Sequence, residues 1–436
     1  MSAVSSWVAD DTPVWVESST PVATSIDSAV FTLLFAAIAL PFPEVFFLRL
    51  GFVTLSTFEL VYGCVGGLLF LKILVTGRIR RAGLALLFFG SLAVYVLGSV
   101  AAGWATLGDA LRQARFYWPF ALAVLLLSTG TTATLRKFWR YLFVAAALSA
   151  GSAFVLHYWL GSYVENALAA APDAVTVIQA GRMYWANAAV TLFVLLYYVI
   201  PTRSRTVNRA LGFVTLVLTL AATFNTLNRT FIAGVILLGL LAAAIAGSWS
   251  KVLRRLSQMV AVTAILAAIV GGLMSVDARF HDLVVQRYLG GEMGAEAVYE
   301  SSGVPRLETY QQYFESIKDY FPLGQGLGRP FSSSLETAIY TTDSSVLTFV
   351  LPFGVLGLVI LGAFVGSLWR LLSRNAISRS PEHASGAKLL IVSSLLISLN
   401  IDLYSRNNFV VLMTLLVLCC GNRARPAMSP ENPSPA

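Results

Sequence analysis

Charge is what this chain has least of. Only 12% of its 436 residues are Asp, Glu, Lys or Arg, against about 25% in soluble domains. Such a chain cannot clothe a globule for water, and its mean hydropathy of +0.74 places its surface against lipid. Cysteine is almost as scarce. Cys64, Cys419 and Cys420 all fall in apolar runs, so neither a disulfide framework nor a zinc site is expected. The strict apolar–polar alternation of an outer-membrane barrel is missing, as are internal repeats of 20–50 residues. No Lys or Arg precedes Arg49. The acidic first stretch therefore lacks the basic start of a cleavable signal and reads as a tail.

What is present is a series of apolar runs. They lie at about 29–48, 57–76, 82–102, 114–130, 138–158, 185–201, 210–227, 231–249, 257–275, 345–369, 387–402 and 408–421. Runs of about 20 apolar residues match a bilayer's hydrocarbon thickness. The expected fold is an all-α polytopic membrane protein with about 12 transmembrane helices and a large helical loop between the ninth and tenth. The expected divisions are a tail over 1–28, helices one to nine over 29–275, the loop over 276–344, helices ten to twelve over 345–421, and a Pro- and Ser-rich disordered tail over 422–436.

The loops after alternate runs carry Arg78, Arg80, Arg81, Arg136, Lys137, Arg140, Arg203, Arg205, Arg209, Lys251, Arg254, Arg255, Arg370, Arg374, Arg379, Lys388, Arg423 and Arg425. Glu382 is the one acid among them. By the positive-inside rule that side is cytoplasmic, and by parity so is the N-terminus. Lys72 belongs to the cytoplasmic end of its run. The long polar loop then lies on the outer side.

Of the other eleven basic residues, ten are arginines: Arg49, Arg112, Arg115, Arg182, Arg229, Arg279, Arg287, Arg306, Arg329 and Arg406. Only Lys318 breaks the pattern. Arginine offers a planar fork of donors that fits a phosphate, and it keeps its charge. An anionic lipid headgroup or a diphosphate is one reading of this face; snorkelling to the membrane surface is the other. Arg229 favours the first, because Asn225-Thr-Leu-Asn-Arg-Thr230 is a polar turn pinched between two long runs. Arg182 lies in Gly181-Arg-Met-Tyr-Trp-Ala-Asn187, where Asn187 needs a polar partner inside the bundle.

Within the outer loop, Leu307, Tyr310, Phe314, Ile317 and Phe321 step by three and four. This is an amphipathic helix that starts near Pro305 and stops at Pro322. Arg306 sits at its first turn, where a cation does not serve the helix dipole. Gly324-Gln-Gly-Leu-Gly328 follows a helix rather than a strand, which excludes a nucleotide loop. It reads as a flexible backbone approach to a sugar or phosphate. Asp343, just before the tenth run, reads equally as a helix N-cap and as a general base. His281 and His157 are alternative bases. No cluster has metal-ligand spacing.

Together these features resemble the O-antigen polymerase and ligase superfamily of bacterial surface-polysaccharide assembly. The likeness rests on Asn228-Arg-Thr-Phe-Ile232, on Gly181-Arg182 with Asn187, and on Arg306 followed by Tyr320-Phe-Pro-Leu-Gly-Gln-Gly-Leu-Gly328. The fourth place is Asp343-Ser-Ser-Val-Leu-Thr-Phe-Val-Leu-Pro-Phe-Gly-Val-Leu-Gly357. The resemblance implies a glycosyltransferase of the bacterial inner membrane acting on undecaprenyl-diphosphate-linked oligosaccharides at the periplasmic face. Arg182, Arg229, Arg306, Arg329 and Arg115 would hold the diphosphate. Asp343, Arg229 and Arg306 would be catalytic, with His281 the alternative base. No cofactor or metal is implied, and no nucleic-acid partner. Implied partners are the lipid-linked donor and acceptor, the bilayer, a chain-length regulator and a flippase. Ligases of the superfamily usually carry His where Asp343 stands, which favours a polymerase over a ligase that moves glycan to lipid A-core or protein. A flippase would show charges deep in several runs, and few lie there.

Overall fold

The computed structural model describes residues 21–40, 47–50, 53–130, 134–160, 183, 185, 187–199, 207–226, 229–244, 249–285, 304–329, 344–374, 381–399, 402–404 and 408–421. Helices dominate. In chain order the described helices are α1 Pro21–Ala39, α2 Thr57–Thr76, α3 Ala82–Ala101, α4 Leu107–Ala114, α5 Trp118–Thr129, α6 Leu135–Trp159, α7 Val190–Val199, α8 Arg209–Asn225, α9 Arg229–Ala244, α10 Trp249–Val276, α11 Ala278–Val284, α12 Val304–Tyr320, α13 Ser345–Phe353, α14 Val355–Arg374, α15 Pro381–Ile397 and α16 Phe409–Gly421. Those lying outside the twelve runs are α4, α11 and α12.

Five of the described helices are long and apolar enough to cross a membrane by length and composition: α1, α2, α3, α6 and most of α14. Three of the expected runs differ from single continuous helices. The first helix begins at Pro21, ahead of the expected run, and ends before Pro41, which cannot continue it. The remainder of that run opens a small antiparallel hairpin, β1 Phe47–Leu50 with β2 Val53–Ser56, pairing Arg49 with Thr54. The run at 114–130 is split: a 3₁₀ turn over Arg115–Tyr117 separates α4 from α5, and Pro119 occupies the first turn of α5. The run at 345–369 is split at Gly354.

Local chemistry sets several of these ends. Ser56 and Glu59 form a capping box at the start of α2, and Gly77 closes it in the left-handed conformation. Thr106, Thr134 and Asn208 cap α4, α6 and α8 with their side-chain oxygens. The short last run, far from being a marginal span, is the centre of the bundle. Residues 408–420 are all buried, as befits a helix apolar on every face. Phe193 packs on Phe409 at its start, the ring centroids 5.2 Å apart. By contrast α2 and α3 turn Phe70, Leu74, Leu86, Val94 and Leu97 outward, the side suited to lipid.

The two ends of the bundle differ. At the end bearing the loops of Arg78–Arg81 and Arg136–Arg140, Lys72 Nζ lies 2.7 Å from Asp27 Oδ1 and also donates to the Gly130 carbonyl. Arg81 Nη1 donates to the Leu127 carbonyl at 3.2 Å. The opposite end, here called the distal end, carries the segments with the candidate residues.

Candidate functional site

At the distal end the segment after α12 doubles back onto the bundle. Gly324 N donates to Tyr320 O at 2.9 Å, Gln325 N to Leu351 O at 2.8 Å, and Gly326 N to Pro352 O at 3.2 Å. Leu327 N donates to Ser99 Oγ at 2.9 Å and Gly328 N to Gln113 Oε1 at 2.5 Å. The Tyr95 hydroxyl donates to Leu323 O at 2.6 Å. The expectation of a flexible backbone approach to a ligand is therefore corrected. All five amides of 324–328 are taken by protein oxygens, leaving none to cradle a phosphate. The glycines are there for close approach to the protein's own backbone. Gly324 has φ +80°, and a Cβ on it would lie 2.5 Å from Pro352 O and collide with the Gly354 nitrogen. Only glycine fits there.

The seat aims the next residue. The Arg329 guanidinium carbon lies 4.7 Å from the centre of the Trp104 ring and 5.3 Å from that of Tyr320. Gln325 Nε2 donates to the Arg329 carbonyl at 3.3 Å. A guanidinium over an aromatic face is attracted by the ring's quadrupole, and its fork of donors suits oxygen acceptors. Arg115 is placed otherwise. Its Nε and Nη2 fork onto Glu59 Oε1 and Oε2 at 2.5 and 2.6 Å, while Glu59 also accepts from Ser56 N at 2.7 Å. A charge paired in this way ties the start of α2 to the end of α4.

The two pinched segments meet. Met183 N donates to Asn225 O at 3.2 Å, and the Asn225 amide donates to the Tyr158 hydroxyl at 2.8 Å. Arg229 opens α9 just beyond. Five residues further along, Gly234 packs on Ile397, where a Cβ would lie 2.6 Å from Ile397 Cδ1. This sets the start of α9 at the level of the turn that follows α15. Asn187 finds the partner it needs: Nδ2 donates to Ile38 O and Leu40 O at 2.9 Å each, and Oδ1 accepts from Asn408 at 2.8 Å. It ties these segments together. Arg182 lies outside the described residues, as do the side chains of Arg229 and Arg306.

Arg306 lies in the first turn of α12. That helix buries Tyr313, with Tyr310 and Ile317 beside it, against Leu347 and Leu351 of α13. The expected stripe is thus rotated. Phe314 and Phe321 are exposed at 57% and 66%, because Tyr313 takes the inward place. Asp343 lies outside the described residues. The N-cap of α13 is its neighbour Ser344, whose hydroxyl accepts from Leu347 N at 3.5 Å, so α13 does not depend on Asp343 for its cap. His281 sits exposed on α11, packed along α10, with Nδ1 3.2 Å from Asp282 Oδ1. His157 lies in the last turn of α6.

One group escaped the sequence reading. Asp402 is 3% exposed and accepts from the Thr348 hydroxyl at 3.0 Å. The Thr348 carbonyl in turn accepts from Tyr117 at 2.5 Å. Ser345 Oγ accepts from Leu403 N and Tyr404 N at 2.9 and 3.2 Å, fixing the turn that carries the acid. Asp402 is a buried carboxylate at the mouth of the segment that begins with Asp343. A lone acid between two apolar runs, in Asn400-Ile-Asp-Leu-Tyr404, was the signal, of the same kind that singled out Arg229. Among the described residues no three His, Cys, Asp or Glu gather as metal ligands.

No protein-family model matches the chain, and no curated protein matches it. The functional reading rests on the residues above.

Proposed function

We propose that this chain is a membrane glycosyltransferase that polymerises undecaprenyl-diphosphate-linked oligosaccharide repeats at the periplasmic face of the bacterial inner membrane. The observation that carries the reading is the seat of residues 324–328. It fixes Arg329 against Trp104 and Tyr320 at the end of the bundle where α9 begins with Arg229. An anion with several oxygens, next to lipid, is the ligand such arginines suit.

In this reading Arg229, Arg306 and Arg329 hold the diphosphate of the donor, with Arg182 beside them. A hydroxyl of the acceptor glycan attacks the donor's anomeric carbon. The bond from that carbon to the diphosphate oxygen breaks, and undecaprenyl diphosphate leaves with the bonding pair. The arginines stabilise the charge that grows on it. Asp343 takes the proton of the attacking hydroxyl.

The test is reconstitution of the purified chain with lipid-linked repeats. Arg229→Ala and Arg306→Ala are each expected to abolish long-chain product while the protein still inserts and unfolds at the wild-type temperature. Normal chain lengths from both variants would overturn the assignment. Cells lacking the protein should accumulate single repeats on the carrier. Finished polymer on the carrier would point instead to a ligase.

A further inference from the structure

The turn that follows α12 lies deep along its neighbours. α3 is 20 residues long. At 1.5 Å per residue that is about 30 Å, the thickness of bilayer hydrocarbon. Tyr95, whose hydroxyl holds Leu323 O, stands about 9 Å short of the distal end of α3 on the same scale. The Tyr95 ring meets that of Phe353 at 5.1 Å, so the last residue of α13 shares this depth. The turn Phe321-Pro322-Leu323 is bonded to both helices' neighbourhoods, with Pro322 O accepting from Val355 N at 2.9 Å.

The chain goes down to this turn and comes back. α12 descends along α13: Tyr313, with Ile317 a turn later, packs on Leu347 and Leu351. Pro322 then reaches Val355, beyond the break at Gly354. The return arm climbs α3 and α4 in order. Leu323 O is held by Tyr95, Leu327 N by Ser99 Oγ, and Gly328 N by Gln113 Oε1.

Backbone inside a bilayer has no water to bond, and irregular backbone persists there only where protein satisfies it. That condition is met. Every amide of 324–328 is engaged, as are the carbonyls of Pro322 and Leu323. The side chains of the turn point the other way: Leu323 is 72% exposed, and Phe321 is exposed with it. Along α3, Val94 and Leu97 flank Tyr95 and are exposed too, so the turn continues the surface suited to lipid. The bare flank of α12 extends it. Phe314 and Phe321 lie two turns apart on one side, while Gln312, Glu315 and Asp319 occupy the other. Lys318 borders the apolar flank, and its long stem lets the ammonium reach the headgroups. The stripe of α12 thus has two partners. Tyr310 and Ile317 turn toward α13, which leaves Phe314 and Phe321 for something else that is apolar.

We propose that residues 304–329 form a re-entrant hairpin whose tip, Phe321-Pro322-Leu323, is immersed in the hydrocarbon of the distal leaflet. The partner of this surface is the bilayer itself. Immersion fastens the long polar segment to the membrane and sets Arg329 against Trp104, just past the end of α3, at headgroup level.

The experiment measures what collides with the tip. Cys64 is exposed, whereas Cys419 and Cys420 are buried, so single cysteines are added to a Cys64→Ser chain and labelled with a nitroxide. The labelled variants are Phe321→Cys and Leu323→Cys at the tip, Val94→Cys as the lipid reference and Glu315→Cys on the polar flank. Each is studied as the full chain in phosphatidylcholine nanodiscs, once shown to unfold at the temperature of its Cys64→Ser parent. Collision with oxygen, which concentrates in hydrocarbon, is compared with collision with a water-soluble nickel chelate. The oxygen-to-nickel ratio at 321 and 323 is expected to match that at 94 and to exceed that at 315 about tenfold or more. A ratio at the tip as low as at 315 would put it in water and overturn the proposal. Low collision with both reagents would overturn it as well, because a second copy or another protein would then cover the tip. No substrate enters the measurement, so its outcome is independent of polymer synthesis.

Discussion

The two ends of the bundle are tied by different kinds of bond. Where the basic loops lie, the ties join residues 45–58 positions apart: Lys72 with Asp27, Lys72 with Gly130, Arg81 with Leu127. They cancel charge and close neighbouring helices on one another. At the distal end Tyr95, Ser99, Gln113 and Tyr117 reach residues 215–231 positions away. These ties are mostly neutral, and they stitch the first third of the chain to the last. One end is finished by local pairing, so its residues stabilise. The other is assembled from remote segments, and it is where Arg329 is held against Trp104 and Tyr320. A ligand site belongs at the second kind of end.

That contrast can be broken from either side. Lys72→Ala strands Asp27 as a buried charge and should cost about 3–5 kcal/mol of stability, read as a lowered unfolding temperature in detergent. Adding Asp27→Asn should restore most of it, and product made by the surviving protein should have normal chain length. A single variant that shortened product without lowering stability would erase the distinction between the ends. Gly324→Ala attacks the distal seat. The strained left-handed conformation costs roughly 1–2 kcal/mol and the overlap with Pro352 and Gly354 about 1–3 kcal/mol more, so stability and polymer length should fall together. Arg329→Ala sharpens the contrast most finely. Losing two ring contacts costs about 1 kcal/mol of stability at most, while polymer synthesis should fall about tenfold or more. Unchanged synthesis would mean that the seat presents nothing to a substrate.

Helix content was legible because it depends on local composition. The apolar run at 57–76 became α2 with the same ends, which Ser56, Glu59 and Gly77 close in the folded chain. Breaks inside runs were less legible. Pro119 and Gly354 were visible, yet whether a helix restarts after such a residue depends on what it packs against. The stripe of α12 failed for a related reason: Tyr313 and Phe314 are adjacent, both aromatic, and only the position of Leu347 and Leu351 decides which turns inward. The glycine segment failed most instructively. Its composition correctly announced close approach to something, but the partners, Ser99, Gln113 and Pro352, are named only by the folded chain. Arg115 could not be separated from the other distal arginines, because Glu59 lies 56 positions away. Asp402 was legible and passed over.

The engaged amides of 324–328 also carry a kinetic consequence. Backbone amides exchange their hydrogens when local structure opens, and irregular surface segments ordinarily open first. Here the segment has no helix or sheet of its own, yet each amide is closed by an oxygen from α12, α13, α3 or α4. It cannot open by itself. Its fluctuations are those of the helices that hold it, so the stretch that looks most like a hinge keeps the time of the bundle's slow core.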